Sequence, residues 1–197
     1  MAVCIGLSPL AGELMIMSSL PGEISEPVQM FCLISMAAFA LVALVLGTYS
    51  ILSLLSRQRQ NSDFFRLLAC LAFLPATALS LFFTHPIRQD GFMQLASRTK
   101  PLIAAIEKYE KVNGHAPDKL QDLIPGFMPA IPKTGIGAYP KYRYELLKKE
   151  KDSWQLTVDC SRGWLNWDEF YYLPSKKYPE RYGGWVELMG DWAYFHE

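Results

Sequence analysis

Charge is what the first half of this chain has least of. Between Pro27 and Arg88 only five residues are charged, Arg57, Arg59, Asp63, Arg66 and Arg88, and none of them falls in 28–56 or 67–84. A run with no charge has no polar face to offer water, which excludes an ordinary surface helix from either stretch. Each run reaches or approaches the ~20 residues that carry a helix across a bilayer. The same absence leaves a proton relay or ion pathway without a candidate residue, and so argues against transport.

Other scarcities narrow the chemistry. The chain has three histidines, His85, His115 and His196, and none has the spacing of a metal ligand set or of a base beside a nucleophile. They read as solvent-exposed or capping side chains. Cys32 and Cys70 fall in the apolar runs and read as small apolar groups, while Cys160 alternates in phase with Trp154, Leu156 and Val158 and reads as a buried thiol. A flexible leader permits a Cys4–Cys160 disulfide without favouring one. Basic and acidic residues balance at 19 each, so no global field draws nucleic acid, and no nucleic-acid partner is expected. Nothing in the composition calls for a cofactor, and no catalytic constellation is present.

What is there reads as a membrane protein with five parts. A leader, 1–27, carries three glutamates and no lysine or arginine, with Pro9 and Glu13 interrupting its apolar character. It lacks the basic start of a secretory signal and reads as a poorly ordered or surface-lying tail. Transmembrane helix 1 is expected over 28–56, a loop over 57–66, transmembrane helix 2 over 67–85, and an extracytoplasmic domain over 86–197. The loop holds Arg57, Arg59 and Arg66, so the positive-inside rule makes it cytoplasmic, with both ends of the chain outside. In a bacterium this is an inner-membrane protein with a periplasmic domain.

The second run carries Ala69, Ala72, Ala76 and Ser80 at steps of three and four, a strip of small side chains along which another helix can approach closely. Ala43 and Gly47 offer a matching small spot on the first run. Packing of the two runs on each other as a hairpin is the plainer reading, and a partner helix is the other. Pro75 is expected to kink the second helix.

Beyond the membrane the period changes. Leu95, Leu102, Ile106 and Tyr109 recur at helical spacing within 92–113, with Pro101 suited to a first turn, so the regular helix is expected to begin near Thr99 and to close at Asn113–Gly114. Four prolines, Pro117, Pro125, Pro129 and Pro132, punctuate the next stretch. From Tyr142 apolar and polar residues alternate, which predicts strands over 142–146, 154–160, 167–173, 184–189 and 192–195. A small antiparallel sheet packed on one helix, an α+β domain, accounts for the pattern.

All five tryptophans lie from Trp154 onward, among many tyrosines and phenylalanines. Core packing claims some of them, Trp154 and Trp192 above all. Trp164, Trp167, Tyr171 and Tyr178 are expected on loops or outer faces, as a contact surface for a protein partner. Ala69, Ala72, Ala76 and Ser80 are the second candidate partner surface.

The residues Leu102-Ile103-Ala104-Ala105-Ile106-Glu107-Lys108-Tyr109, then Asn113-Gly114, Pro117, Leu120, Leu123, Pro125, Ile131-Pro132 and Tyr142-Arg143-Tyr144, resemble the periplasmic part of type II secretion pseudopilins and related type IV pilin-like proteins. The resemblance covers about residues 95–145. It implies a membrane helix that runs into an amphipathic helix, a proline-rich loop, and a small sheet lying across the helix. The processing motif of that family stands before neither run, so a fold is implied and assembly into a fibre is not. The calcium loop of those proteins also implies a Ca²⁺ site at Asp159, Asp168 and Glu169. Their spacing matches no EF-hand, and a solvated acidic edge is the plainer reading. The function expected is that of a non-catalytic, membrane-anchored interaction or assembly subunit of an envelope complex. The alternative is a sensor domain that binds a glycan, a peptide or Ca²⁺.

Overall fold

Where the sequence runs without charge, the chain is helical. In the computed structural model, which describes residues 1–55, 61–147, 153–161, 167–179 and 183–197, two short helices come first, α1 (Ala2–Gly6) and α2 (Ser8–Ile16). Two long ones follow, α3 (Gly22–Leu55) with 34 residues and α4 (Asn61–Asn113) with 53. The chain divides into two compact units, Met1–Arg88 and Gln89–Glu197, so α4 supplies part of each.

In the first unit α3 and α4 pack as a hairpin. The rings of Phe39 and Phe73 lie 4.9 Å apart, and the Cys70 thiol donates to the Ala43 carbonyl over 3.4 Å. Gly47 faces that same thiol. The small spot at Ala43 and Gly47 therefore meets Cys70. Both helices are long and apolar enough to cross a membrane, and only 6% and 17% of their most apolar stretches are buried, so neither is the interior helix of a soluble core. Leu41, Leu44, Leu71 and Phe82 all stand more than half exposed.

The leader, expected as a poorly ordered or surface-lying tail, forms α1 and α2, which fold back onto the long helices and bury Glu13 and Ile16 to 2% and 1% exposure. The second membrane run and the amphipathic helix are also one element, since α4 continues through Pro75, Pro86 and Pro101. Each proline removes one backbone donor, and Leu74 and Ala76 beside Pro75, and Lys100 and Leu102 beside Pro101, are strong helix formers that favour continuation.

In the second unit α4 buries Phe92, Leu95, Ala96, Thr99, Leu102, Ala105 and Ile106, an unbroken stripe at steps of three and four. The helix stops at Gly114, whose φ of 79° is the left-handed conformation that a residue without Cβ adopts at low cost. A 3₁₀ turn at Leu120–Leu123 sets Leu123 into the core.

Five strands follow: β1 (Arg143–Leu146), β2 (Trp154–Asp159), β3 (Glu169–Tyr172), β4 (Trp185–Met189) and β5 (Trp192–His196). Every pairing is antiparallel and the sheet order is β1-β2-β3-β5-β4, which leaves β1 and β4 as its edges. On one face Trp154, Leu156, Val158, Phe170, Tyr172, Trp192 and Tyr194 are buried in the core with the α4 stripe, and Phe92 lies 4.8 Å from Phe170 and 5.2 Å from Tyr194, ring to ring. On the other face Tyr171, Leu173, Ala193 and Phe195 form a second, smaller cluster with Leu147, Tyr178 and Val186 packed against it.

Candidate functional site

The structure treats the two expected partner surfaces differently. Of the alanine strip, Ala69 and Ala72 are half-buried, whereas Ala76 is 7% exposed and Ser80 is fully buried. The cover is the chain's own leader. A Cβ on Gly6 would come within 2.8 Å of the Ala76 Cβ, and the Leu10 amide donates to the Ser80 hydroxyl over 2.9 Å. Ala76 and Ser80 are thus no open surface, because α1 and α2 already occupy them.

Of the aromatic candidates, Trp167 is 64% exposed. Tyr171 is a correction: at 3% exposure it is a core residue. The second face of the sheet is closed by Tyr178, whose ring meets that of Tyr171 edge-on at 5.3 Å. Tyr178 itself is half-buried; its hydroxyl donates to the Asp191 carbonyl and accepts the Leu173 amide at 3.4 Å. Burial pushes its pKa well above the ordinary tyrosine value. Trp164 lies outside the described residues. Sequence reasoning passed over Trp185 and Leu188, which stand 63% and 67% exposed on the edge strand β4. The Trp185 ring stacks flat on His196 at 4.4 Å, and the His196 Nε2 lies 3.0 Å from Glu187. The signal available was position alone, since β4 pairs on one side only.

The acidic trio does not converge. Asp159 and Glu169 stand opposite each other on β2 and β3, and Arg143 from β1 pairs with both, at 2.7 Å from Asp159, and also with Glu145 at 3.1 Å. Partial burial pulls the guanidinium pKa down, but the hydrogen bond to Glu169 and the three surrounding carboxylates outweigh it and leave the value raised. Asp168 lies in the core at 3% exposure, where it accepts the Tyr194 hydroxyl at 2.6 Å and the Glu197 amide at 3.1 Å. An arginine thus fills the place between two of the carboxylates, and the third accepts the Tyr194 hydroxyl and the Glu197 amide. Among the described residues no group of three or more His, Cys, Asp or Glu is placed to hold a metal ion.

A groove unforeseen in the sequence runs along α4 in the second unit. Met93, Ala96, Lys100, Ile103 and Glu107 form one wall, and Tyr172, Met189 and Trp192 the other, around about 520 Å³. Its rim is braced by Lys176, which reaches Asp191 at 2.8 Å and whose pKa that hydrogen bond raises. Lys176 holds a φ of 53°, an uncommon conformation for a residue with a side chain.

No family model, curated protein or solved structure matches this chain.

Proposed function

We propose that this protein is anchored in a membrane by α3 and α4 and acts through binding, as an accessory or assembly subunit of an envelope complex. In this reading the arginine-bearing loop faces the cytoplasm, the membrane is the bacterial inner membrane, and the second unit lies in the periplasm. The arrangement of helix, proline-rich loop and antiparallel sheet suits the pilin-like architecture that the sequence resembles. The observation that carries the interaction role is the exposed apolar edge: Trp185 and Leu188 stand exposed on β4, an edge strand of the described sheet, and an edge strand with large apolar side chains is what strand addition uses.

Native mass spectrometry of the full-length protein, extracted in gentle detergent from its host membrane, tests this. Co-purifying subunits that are lost in a Trp185→Ala, Leu188→Ala double variant support it. A monomer without partners, or partners indifferent to β4 and Trp167, would sink it.

The groove favours a second reading, a ligand-binding sensor. Its volume falls within the ~300–1,000 Å³ typical of small-ligand sites, and its walls mix apolar side chains with Lys100 and Glu107. A rise in melting temperature with an added peptide or glycan, abolished by Ala104→Trp at a residue that also lines the groove, is the expected sign; no shift across a broad panel removes this reading.

A further inference from the structure

The leader is built to dock. Gly6 and Gly12 lie close against the long helices: a Cβ on Gly6 would meet Ala76, and one on Gly12 would lie 3.2 Å from the Gln29 Cα and 3.5 Å from the Cys32 Cβ. Small residues on both partners are what close helix packing in a bilayer requires. Polar groups complete the seam. The Ser8 hydroxyl, 2.7 Å from the Ile5 carbonyl of its own turn, also lies 3.1 Å from the Cys32 carbonyl; Leu10 donates to the Ser80 hydroxyl, and the Glu13 carboxylate accepts Gln29 at 3.1 Å and Arg88 at 3.2 Å. Both members of the ion pair are buried, Glu13 to 2% and Arg88 to 5% exposure. Gly6 sits against Ala76, twelve residues before Arg88 on α4, which is roughly 18 Å along the helix axis. With Arg88 at the outer end of the membrane run, that depth passes the middle of a hydrocarbon layer ~30 Å thick.

We propose that Ala2–Ile16 is an intramembrane latch, a pair of short helices that enters the bilayer beside α4, covers Ala76 and Ser80, and is held there by the Glu13–Arg88 ion pair. The inference rests on the membrane reading above. It adds a device to it: a partner helix reaches the inner part of the small-residue strip only once the latch has left. A buried ion pair suits a releasable catch. Losing one member takes the opposite charge away from the other in a dry site, whereas replacing both with apolar groups removes that cost.

The test uses the full chain in native membranes. Gly12→Cys places a thiol within disulfide reach of native Cys32, since bridged cysteines have Cβ atoms ~3.5–4.5 Å apart. Mild oxidation and peptide mass mapping should find most chains bridged. Adding Arg88→Leu should lower the bridged fraction at least fivefold, and adding Glu13→Leu to that variant should restore it. Native Cys4, exposed on α1, should resist a membrane-impermeant maleimide in sealed membranes and react with a lipid-soluble one. A bridge that forms equally well without Arg88 overturns the latch, and so does one that never forms. Impermeant labelling of Cys4 overturns the insertion. Release of the whole chain by alkaline carbonate would instead overturn the membrane reading on which the latch rests.

Discussion

The hydroxyl of Tyr194 on β5 donates a 2.6 Å hydrogen bond to the carboxylate of Asp168, which precedes β3, and both groups are buried. A buried carboxylate that loses a donor bears an unrepaid desolvation cost. Tyr194→Phe should therefore destabilise the second unit by about 1–3 kcal/mol, although it removes only one oxygen. Denaturant unfolding followed by tryptophan emission measures this, because every tryptophan lies in that unit. An unchanged midpoint would show that the carboxylate is satisfied without Tyr194.

Phe92 stands between Phe170, Tyr194 and Tyr139 with no exposure to solvent. Phe92→Ala should cost roughly 3–5 kcal/mol, the usual range for emptying a buried aromatic site. Trp167→Ala, at an exposed site, should stay within about 0.5 kcal/mol. If the two variants unfold alike, the core has been misplaced.

Alkaline pH should weaken the second unit through Tyr144 and Tyr178. Burial raises both above the ordinary 10.0, and for Tyr144 the negative charge of Glu110 adds to it. The folded state thus holds these protons more tightly than the unfolded chain. Their contribution is fully present below pH 10 and is lost as pH rises through the folded values. Melting temperatures recorded from pH 8 to 11 should fall at the upper end, and the fall should be shallower in Tyr144→Phe. A slope that ignores this substitution would assign the alkaline transition elsewhere.

Arg143 separates carboxylates that the sheet register sets face to face, Asp159 and Glu169. Arg143→Gln should leave them repelling across the strands and lower the melting temperature at low ionic strength. In 1 M salt, where charges are screened beyond ~3 Å, most of the loss should be recovered. A deficit that persists unchanged in salt would mean that Arg143 acts by packing its stem.

The strands were legible because alternation is a strong signal where one face is buried: β2 follows Trp154, Leu156 and Val158 as read. Tyr171 was not legible, because the second face of β3 is also buried, under Tyr178 and Leu147, and the strand pattern does not say what distant segments will cover. The continuity of α4 was obscured by Pro101, which read as a first-turn residue and so as the start of a new helix, whereas α4 runs through it. The leader hid for a different reason. Its buried positions on α2 are Pro9, Gly12, Glu13 and Ile16, of which only Ile16 is a large apolar residue, so no apolar stripe marks the helix in the sequence. The groove along α4 belongs to the meeting of Met93 and Ile103 with Met189 and Trp192, residues nearly a hundred positions apart.

Glu13 and Arg88 are separated by 75 residues of chain. At ~5–20 residues per second of synthesis, the glutamate waits roughly 4–15 s for its arginine to exist. The leader's contacts with Gln29 and Cys32 can form as soon as α3 exists, whereas its ion pair must wait for the end of the second apolar run.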